Sequence, residues 1–270
     1  MPAKLTHRDR VTELEQTIAP PPPKHIEPDI ISFAENTLGL KPLDTWQRDL
    51  LTSDARKVIL NICRQAGKST IAATMAIYES LTIPDSLTLL VSPSLRQSTL
   101  LFSKVMHFYD LAGRPVDTDK ETQTELKLAN GSEIYSLPSN ETSIRGFSKP
   151  SSIIIDEAAR ADSTLIAAAL MPMLLISESS RIWLISTPWG YGTYYEKTYH
   201  DPDNGWLKIE VNAYGCPRIS EKAIESQRAN LLDWQFKQEL LCSFESSQTQ
   251  LLSEHAIKAL FIEHVELWSL

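Results

Sequence analysis

The sequence predicts an α/β fold in which helices cover both faces of a mostly parallel sheet. Short runs rich in branched apolar residues recur along the chain, and helical segments lie between them. Several of these runs are apolar along their whole length, which is typical of strands buried on both faces. Because the strands alternate with helices, parallel pairing is expected.

Strands are expected where apolar runs are bounded by polar or small residues, at 57–62, 86–93, 151–157, 181–187 and 207–213. Helices are expected over 69–80 and 94–111 and, with amphipathic spacing, over 223–244. Residues 125–137 are typical of a hairpin with Asn130-Gly131 at its turn, an antiparallel addition to the sheet. The apolar stretch Leu165–Ile176 is interpreted as a buried helix.

The chain divides into three predicted segments. Residues 1–29 form an N-terminal arm that contains the proline run Pro20–Pro23, a stiff spacer. Residues 30–215 form the core and hold every predicted strand. Residues 216–270 have helical patterns only and are expected to form a small appended subdomain.

The composition is that of a soluble protein and argues against a broad nucleic-acid-binding surface. Lys and Arg number 26 against 34 Asp and Glu, which gives a formal charge of -8. Proteins that wrap nucleic acid are usually basic, so any DNA contact is expected through a local patch or with partners. The few scattered cysteines and the histidine spacing predict neither a disulfide framework nor a zinc site. The N-terminus lacks the apolar core of a signal peptide, so a cytosolic protein without a membrane segment is expected.

The strongest motif is CRQAGKST at 63–70, between a predicted strand and a predicted helix. This is the context of a phosphate-binding loop, in which backbone N–H groups and a helix N-terminus bind phosphate. Lys68 is expected to bridge the β- and γ-phosphates of ATP, and the Ser69 hydroxyl to bind Mg²⁺. Ile62 stands where the usual pattern has its first glycine. The ATP-binding residues expected here are Arg64, Gln65, Ala66, Gly67, Lys68, Ser69 and Thr70.

Two adjacent carboxylates, Asp156 and Glu157, follow the apolar run Ile153–Ile155. A buried strand that delivers acids to its C-terminal end is where doubly wound folds place ligands. Asp156 is expected to hold Mg²⁺, directly or through water. Glu157 is expected to polarise the attacking water, which predicts a hydrolase.

A third motif, Ser186-Thr187-Pro188, ends the strand that follows. Hydroxyl groups at this edge are in a position to sense a γ-phosphate and to move the segment after them. The plainer interpretation is a strand-to-loop transition with proline as the breaker. Beside the other two motifs, the sensor is favoured.

A fourth element, LDTWQRDLL at 43–51, precedes the first strand of the core. The Gln47 amide is suited to pair with adenine N6 and N7, which would select ATP. Trp46 is expected either to support the adenine or to pack on the core.

Two arginines compete for the role of a finger on the γ-phosphate. Arg145 lies in SIRGFS at 143–148, a loop from which it would reach a neighbouring subunit. Arg64 lies within the phosphate-binding loop and would act in its own subunit. A structural ion pair is the plainer interpretation of Arg145 and is about equally favoured by the sequence.

Together these elements resemble the ATPase domain of the large terminase subunit, the DNA-packaging motor of tailed phages. The resemblance covers roughly residues 40–250. It rests on elements that occur in the order this family shows: Trp46-Gln47, CRQAGKST (63–70), VSPSLRQS (91–98), IRGFS (144–148), IIIDEAA (153–159), STPWGYG (186–192) and QFKQELLCSFESS (235–247).

The resemblance implies a RecA-like ASCE P-loop fold with a small C-terminal lid at 216–270. It implies Mg²⁺-dependent ATP hydrolysis that drives double-stranded DNA into a procapsid. The implied partners are the portal protein, the small terminase subunit and further copies in a ring, expected to be a pentamer. The implied location is the host cytoplasm, with transient docking on the procapsid.

The matching positions carry the family's roles as expectations. Lys68 and Ser69 contact phosphate and magnesium, Asp156 the magnesium, and Glu157 is the catalytic carboxylate. Ser186-Thr187-Pro188 couples hydrolysis to movement, Gln47 reads adenine, and Arg145 is favoured as the finger between subunits. No strand carries an acidic set after residue 215, so we expect the ATPase part alone, without nuclease activity.

Two other classes of function stay open. A superfamily 2 helicase-like ATPase would also suit the Trp46-Gln47 element and the carboxylate pair, but the residues after 215 are too few for its second RecA-like domain. A scaffold that binds ATP without turnover is the third class, against which the carboxylate pair argues.

Overall fold

The structure, a computed structural model, describes residues 26–245. The expected arm at 1–29 therefore lies almost wholly outside the described residues, as does 246–270 of the appended segment. The strands are β1 Lys57–Ile62, β2 Leu87–Ser92, β3 Thr118–Glu121, β4 Glu125–Leu128, β5 Glu133–Pro138, β6 Ser152–Asp156, β7 Arg181–Ser186 and β8 Leu207–Val211.

The helices surround one sheet. They are α1 Ile30–Ser32 (continued by a π-helical turn, Phe33–Thr37), α2 Thr45–Leu51, α3 Lys68–Thr82, α4 Leu95–Leu111, α5 Glu141–Ile144, α6 Ser163–Leu165 (continued by a π-helical turn, Ile166–Leu170), α7 Met171–Met173, α8 Tyr194–His200, α9 Glu221–Asn230 and α10 Asp233–Leu241. Short 3₁₀ turns follow β6 and β8, at Ala158–Arg160 and Ala213–Gly215.

The eight strands lie in the order β3-β4-β5-β2-β6-β7-β1-β8. Strand β1 pairs in parallel with both β7 and β8, and β2 pairs in parallel with both β5 and β6. Among the strand pairs of residues 26–245, only β3–β4 and β4–β5 are antiparallel, so the hairpin is confirmed as an addition at one edge. The predicted mostly parallel α/β sheet is confirmed.

Alternating side chains of the central strands enter two cores, one on each face of the sheet. Leu60 of β1 packs in the core beneath α3 and α4, whereas its neighbour Ile59 packs in the core with Tyr195 of α8. Both residues are buried, which explains why these strands are apolar along their length. Because β1, β6 and β7 are parallel, their C-terminal ends share one edge, where the predicted motifs meet.

Two helix predictions were wrong in detail. The amphipathic stretch 223–244 forms two helices, because the N–H of Leu232 bonds the Gln235 side chain and starts a new helix there. The stretch Leu165–Ile176 is only partly buried: Leu175 is 86% exposed. Pro172 lies at the start of the short α7, and the chain leaves the helix soon after it. Within residues 26–245, no helix is long and apolar enough to cross a membrane.

Candidate nucleotide-binding site

The loop between β1 and α3 presents a row of unpaired backbone donors. The N–H groups of residues 65–69 have no hydrogen-bond acceptor in the described part of the chain. Gln65 and Gly67 have φ angles of 64° and 92°, so left-handed residues recur along the loop. Successive N–H groups in such a turn form a concave anion site, and the α3 N-terminus adds its dipole. The loop therefore has the geometry of a phosphate-binding site.

Lys68 already lies within this loop. Its side chain is buried, and Nζ donates to the carbonyl oxygens of Ile62 and Cys63 at 2.8 and 3.1 Å. Burial lowers the pKa of the Lys68 ammonium, while Glu157 and Asp156 act in the opposite direction. The ammonium is thus held by two neutral carbonyl groups, which a phosphate can replace as stronger partners.

The carboxylates lie where the sequence predicted them, at the end of β6. The Ser69 Oγ atom is 3.5 Å from Asp156 Oδ2, so the loop and the carboxylate strand meet. Burial, and next the charge of Glu157, raises the pKa of the Asp156 carboxyl to about 6. Glu157 has a left-handed backbone, with φ 55°, and its N–H donates to Asp156 Oδ1 at 3.2 Å. Such strain in a non-glycine residue often accompanies a functional site.

The oxygen atoms of Ser69 and Asp156 fit a magnesium ion. No group of three or more His, Cys, Asp and Glu side chains gathers into a metal cluster in residues 26–245. Mg²⁺ commonly takes one or two protein oxygens and fills its octahedron with phosphate and water. Asp156 is half-buried, and its raised pKa shows that Lys68 and its hydrogen bonds offset the cost of desolvating its charge only in part, so a nearby cation would stabilise the charged form further.

The predicted coupling residues end β7 and are buried. Ser186 is fully buried, and its hydroxyl has no hydrogen-bond partner among the described residues. It is the register partner of Asn61 on β1, one residue before Ile62. Beyond them, the Trp189 ring stacks on the guanidinium of Arg160, with 3.6 Å from the Arg160 Cζ atom to the ring centroid. This stack joins the segment after the carboxylates to the segment after β7.

Gln47 lies beside the phosphate-binding loop but is not open to solvent. It is 1% exposed, and its Oε1 accepts from the N–H of Asp44 at 3.0 Å. The Gln47 Nε2 atom lies 3.1 Å from the position that a Cβ on Gly67 would take. An amide oxygen has a second lone pair and can accept another hydrogen bond. Pairing with adenine stays a prediction, and it requires the residues that bury Gln47 to move. Trp46 packs in the core, and its Nε1 donates to Asp44 Oδ2 at 3.2 Å.

The two candidate finger arginines have different surroundings. Arg64 forms an ion pair with Glu239 on α10, with 2.6 Å between Nε and Oε2. Arg145 follows α5, pairs with Glu141 one turn back, and has a side chain that is 75% exposed. Thr70, the last residue of the motif, accepts a hydrogen bond from Lys104 through its hydroxyl at 3.2 Å. The structure thus brings Arg64 to the site and leaves Arg145 on the surface.

Two residues at the site were missed by the sequence analysis, Arg218 and Glu239. Both come from the segment after β8 and contact the phosphate-binding loop. Glu239 lies within the element QFKQELLCSFESS (235–247), but nothing in that element singled it out, and Arg218 lies in no recognised motif. A cavity of about 720 Å³ is lined by residues of the loop, α9 and α10, among them Arg64, Gln65, Arg218 and Glu239.

Comparison of the sequence with known protein families gives no match, and comparison with curated proteins gives none either. Solved structures are similar in fold. The ATPase domain of the Thermus phage P74-26 large terminase has a TM-score of 0.68 and 19% identity, covering 78% of this chain and 97% of that one. The bacteriophage HK97 large terminase has a TM-score of 0.67 and 17% identity, covering 80% of this chain and 54% of that one.

A large terminase from a thermophilic bacteriophage, in complex with ADP, has a TM-score of 0.63 and 13% identity, covering 75% of this chain and 54% of that one. The chain therefore spans about half the length of these two longer terminases. These likenesses show that the chain has the fold of the ATPase domains of phage large terminases.

Proposed function

We propose that this protein is a Mg²⁺-dependent ATPase of the large-terminase type, which drives double-stranded DNA into a procapsid. The observation that carries the proposal is the meeting of Ser69, in a loop of unpaired N–H groups, with Asp156 at 3.5 Å. A triphosphate binds such a loop through its β-phosphate, and the carboxylate edge then faces the γ-phosphate. The similarity in fold to terminase ATPase domains supports the same activity.

Each residue of the site has a role in this proposal. Lys68 leaves the carbonyls of Ile62 and Cys63 and contacts the β- and γ-phosphates. Ser69 and Asp156 hold Mg²⁺, which when bound neutralises charge on the phosphates. Glu157 accepts a hydrogen bond from the attacking water and orients it towards the γ-phosphorus.

The working assembly in this proposal is a ring of copies, expected to be a pentamer, that docks on the portal protein of a procapsid. The small terminase subunit is the expected partner for DNA recognition. Arg145 supports a ring because its side chain is 75% exposed and its guanidinium pairs with Glu141 one turn back rather than with the phosphate-binding loop. No nuclease activity is proposed for these residues, and the chain is placed in the host cytoplasm during packaging.

A helicase-like ATPase is not favoured, because the similar solved structures reported above are terminases. A scaffold that binds ATP without turnover differs from the proposed motor in one measurable step. That step is hydrolysis, which depends on Glu157.

The test replaces Glu157 with Gln, which keeps size and hydrogen bonding but not the charge. We expect ATP hydrolysis to fall by at least about 100-fold, with the Kd for ATP changed less than about threefold. Glu178→Gln, an exposed residue between α7 and β7, is the matched control and should change neither quantity. Unchanged turnover in Glu157→Gln would contradict the mechanism.

The motor function needs its own measurement. DNA protected from nuclease inside portal-bearing procapsids should appear with the wild-type full-length protein and ATP. It should be absent with Glu157→Gln. ATP hydrolysis without any protected DNA, under conditions where the procapsids bind the protein, would leave an ATPase that is not a packaging motor.

A further inference from the structure

Arg218 lies in the short segment between β8 and α9 and reaches across the outside of the phosphate-binding loop. Its Nη2 atom donates to the carbonyl oxygen of Ala66 at 2.6 Å. The same Nη2 atom donates to Asp44 Oδ2 at 2.8 Å. One guanidinium nitrogen therefore joins the loop to the start of α2.

The bond to Ala66 fixes the orientation of the next peptide group. In a trans peptide the C=O and N–H groups point in opposite directions. Because the Ala66 carbonyl points to Arg218, the N–H of Gly67 in the same peptide plane points away from Arg218. That N–H is one of the loop's unpaired donors. Arg218 thus turns this donor to the side of the loop opposite the guanidinium, where an anion can accept from it.

Asp44 is a fixed anchor for this contact. Its side chain is 7% exposed and accepts a second hydrogen bond from Trp46 Nε1. Its backbone N–H donates to Gln47 Oε1 at 3.0 Å, at the start of α2. A nearly buried carboxylate with these partners moves little, so the guanidinium that binds it is held in place as well.

The guanidinium also sets the shape of the loop at Gly67. A Cβ at this position would lie 3.2 Å from Arg218 Nη2 and 3.1 Å from Gln47 Nε2. The left-handed backbone and the close approach together require glycine. The loop is therefore packed against Arg218 along its Ala66–Gly67 segment.

We propose that Arg218 is a positioning residue for nucleotide binding: it holds the Ala66–Gly67 peptide so that the Gly67 N–H faces the phosphates, with Asp44 as its anchor. This inference rests on the proposed ATP site. It assigns the effect to the phosphate chain and not to the base, so it differs from the role expected for Gln47. A purely structural ion pair would stabilise the fold without changing phosphate affinity.

The test measures calorimetric Kd values for ATP, GTP and inorganic tripolyphosphate, each with Mg²⁺, on the full-length protein. Arg218→Ala should weaken all three by about tenfold, the effect of losing a charge-assisted hydrogen bond. The ratio of the ATP and GTP Kd values should stay the same, and kcat at saturating ATP should fall less than about threefold. Arg218→Lys, which keeps a donor and the charge, should recover most of the affinity.

Salt separates positioning from simple attraction between charges. Attraction at a distance is screened at 500 mM salt, where the Debye length is only about 4 Å. We expect the tenfold loss in Arg218→Ala to persist there. Arg228→Ala is the matched control, because Arg228 on α9 packs over the Phe236 ring and not on the loop. It should leave all three Kd values unchanged.

Several results would overturn the inference. They are unchanged Kd values in a folded Arg218→Ala protein, a loss confined to ATP among the three ligands, or a loss that vanishes at high salt. Thermal unfolding confirms that each variant is folded. The proposed function fails separately: a wild-type protein that binds tripolyphosphate but does not hydrolyse ATP leaves the positioning role standing and refutes the ATPase.

Discussion

Arg64 and Glu239 connect the phosphate-binding loop to helix α10 through two bonds. The backbone N–H of Arg64 donates to the Glu239 carbonyl at 3.1 Å, and the two side chains form an ion pair. If Arg64 is the finger on the γ-phosphate in its own subunit, its guanidinium must exchange this ion pair for the phosphate. On that hypothesis, the Glu239 carboxylate and the nucleotide compete for Arg64.

Replacing Glu239 with Gln should remove this competition. The Arg64 side chain is 63% exposed, and ion pairs at exposed sites contribute about 0–1 kcal/mol. If Arg64 acts in its own subunit, we expect ATP to bind about two- to fivefold more tightly, with little change in Tm. Calorimetric titration with ATP measures the difference, and Glu225→Gln on α9 is the control. Weaker binding of ATP would show that Glu239 supports the loop instead of competing for Arg64.

Arg145 is expected to complete the site of a neighbouring subunit. Strands β2, β6 and β7 separate β5 from β1, a distance of about 19 Å at the usual strand spacing. Mixing inactive Arg145→Ala protein with inactive Lys68→Ala protein should restore some hydrolysis, because one interface then has an intact loop and an intact finger. The ATPase rate of the wild type should also rise steeply with protein concentration. No restoration where rings form would leave Arg64 as the finger.

The stability of the metal-free protein should depend on pH through Asp156. Its pKa is raised from 3.8 to about 6 in the folded state, mainly by burial. The protonated carboxyl therefore favours folding below about pH 4, and this contribution is lost as the pH rises to about 6. In urea unfolding with EDTA, the free energy of unfolding of Asp156→Asn should increase relative to that of the wild type over this range. The increase should be on the order of 3 kcal/mol. Asp203→Asn, at an exposed position, should show no such trend; a parallel pH dependence for Asp156→Asn and wild type would contradict the assignment.

Ser186→Ala should leave the free energy of unfolding unchanged or slightly higher. The Ser186 hydroxyl is buried without a partner among the described residues. Its removal therefore eliminates the desolvation cost of a polar group that makes no hydrogen bond. We expect ATP hydrolysis to continue and the DNA packaged per ATP to fall, as the predicted coupling role requires. Chemical denaturation and the packaging assay measure these quantities. A loss of stability above about 1 kcal/mol would indicate a hydrogen bond formed by Ser186 in the native protein.

The central strands and the loop between β1 and α3 could be predicted because their signals are local. Apolar runs such as Ile153–Ile155 specify a buried strand by composition, and a turn that binds phosphate needs glycine at the left-handed Gly67. The amphipathic pattern at 223–244 also predicted helical structure correctly. It could not show the break before Leu232, because the competing bond to the Gln235 side chain has little effect on periodicity.

The sequence by itself determined the α/β class, the parallel core and the positions of Lys68, Ser69, Asp156 and Glu157, because each lies at the end of a strand or the start of a helix. Only the tertiary structure decided what surrounds them. Arg218 is far from Ala66 along the chain, and the two meet because β8 pairs beside β1 and returns the following segment to the loop. Contacts between distant segments depend on sheet order and packing, which no local pattern of residues encodes.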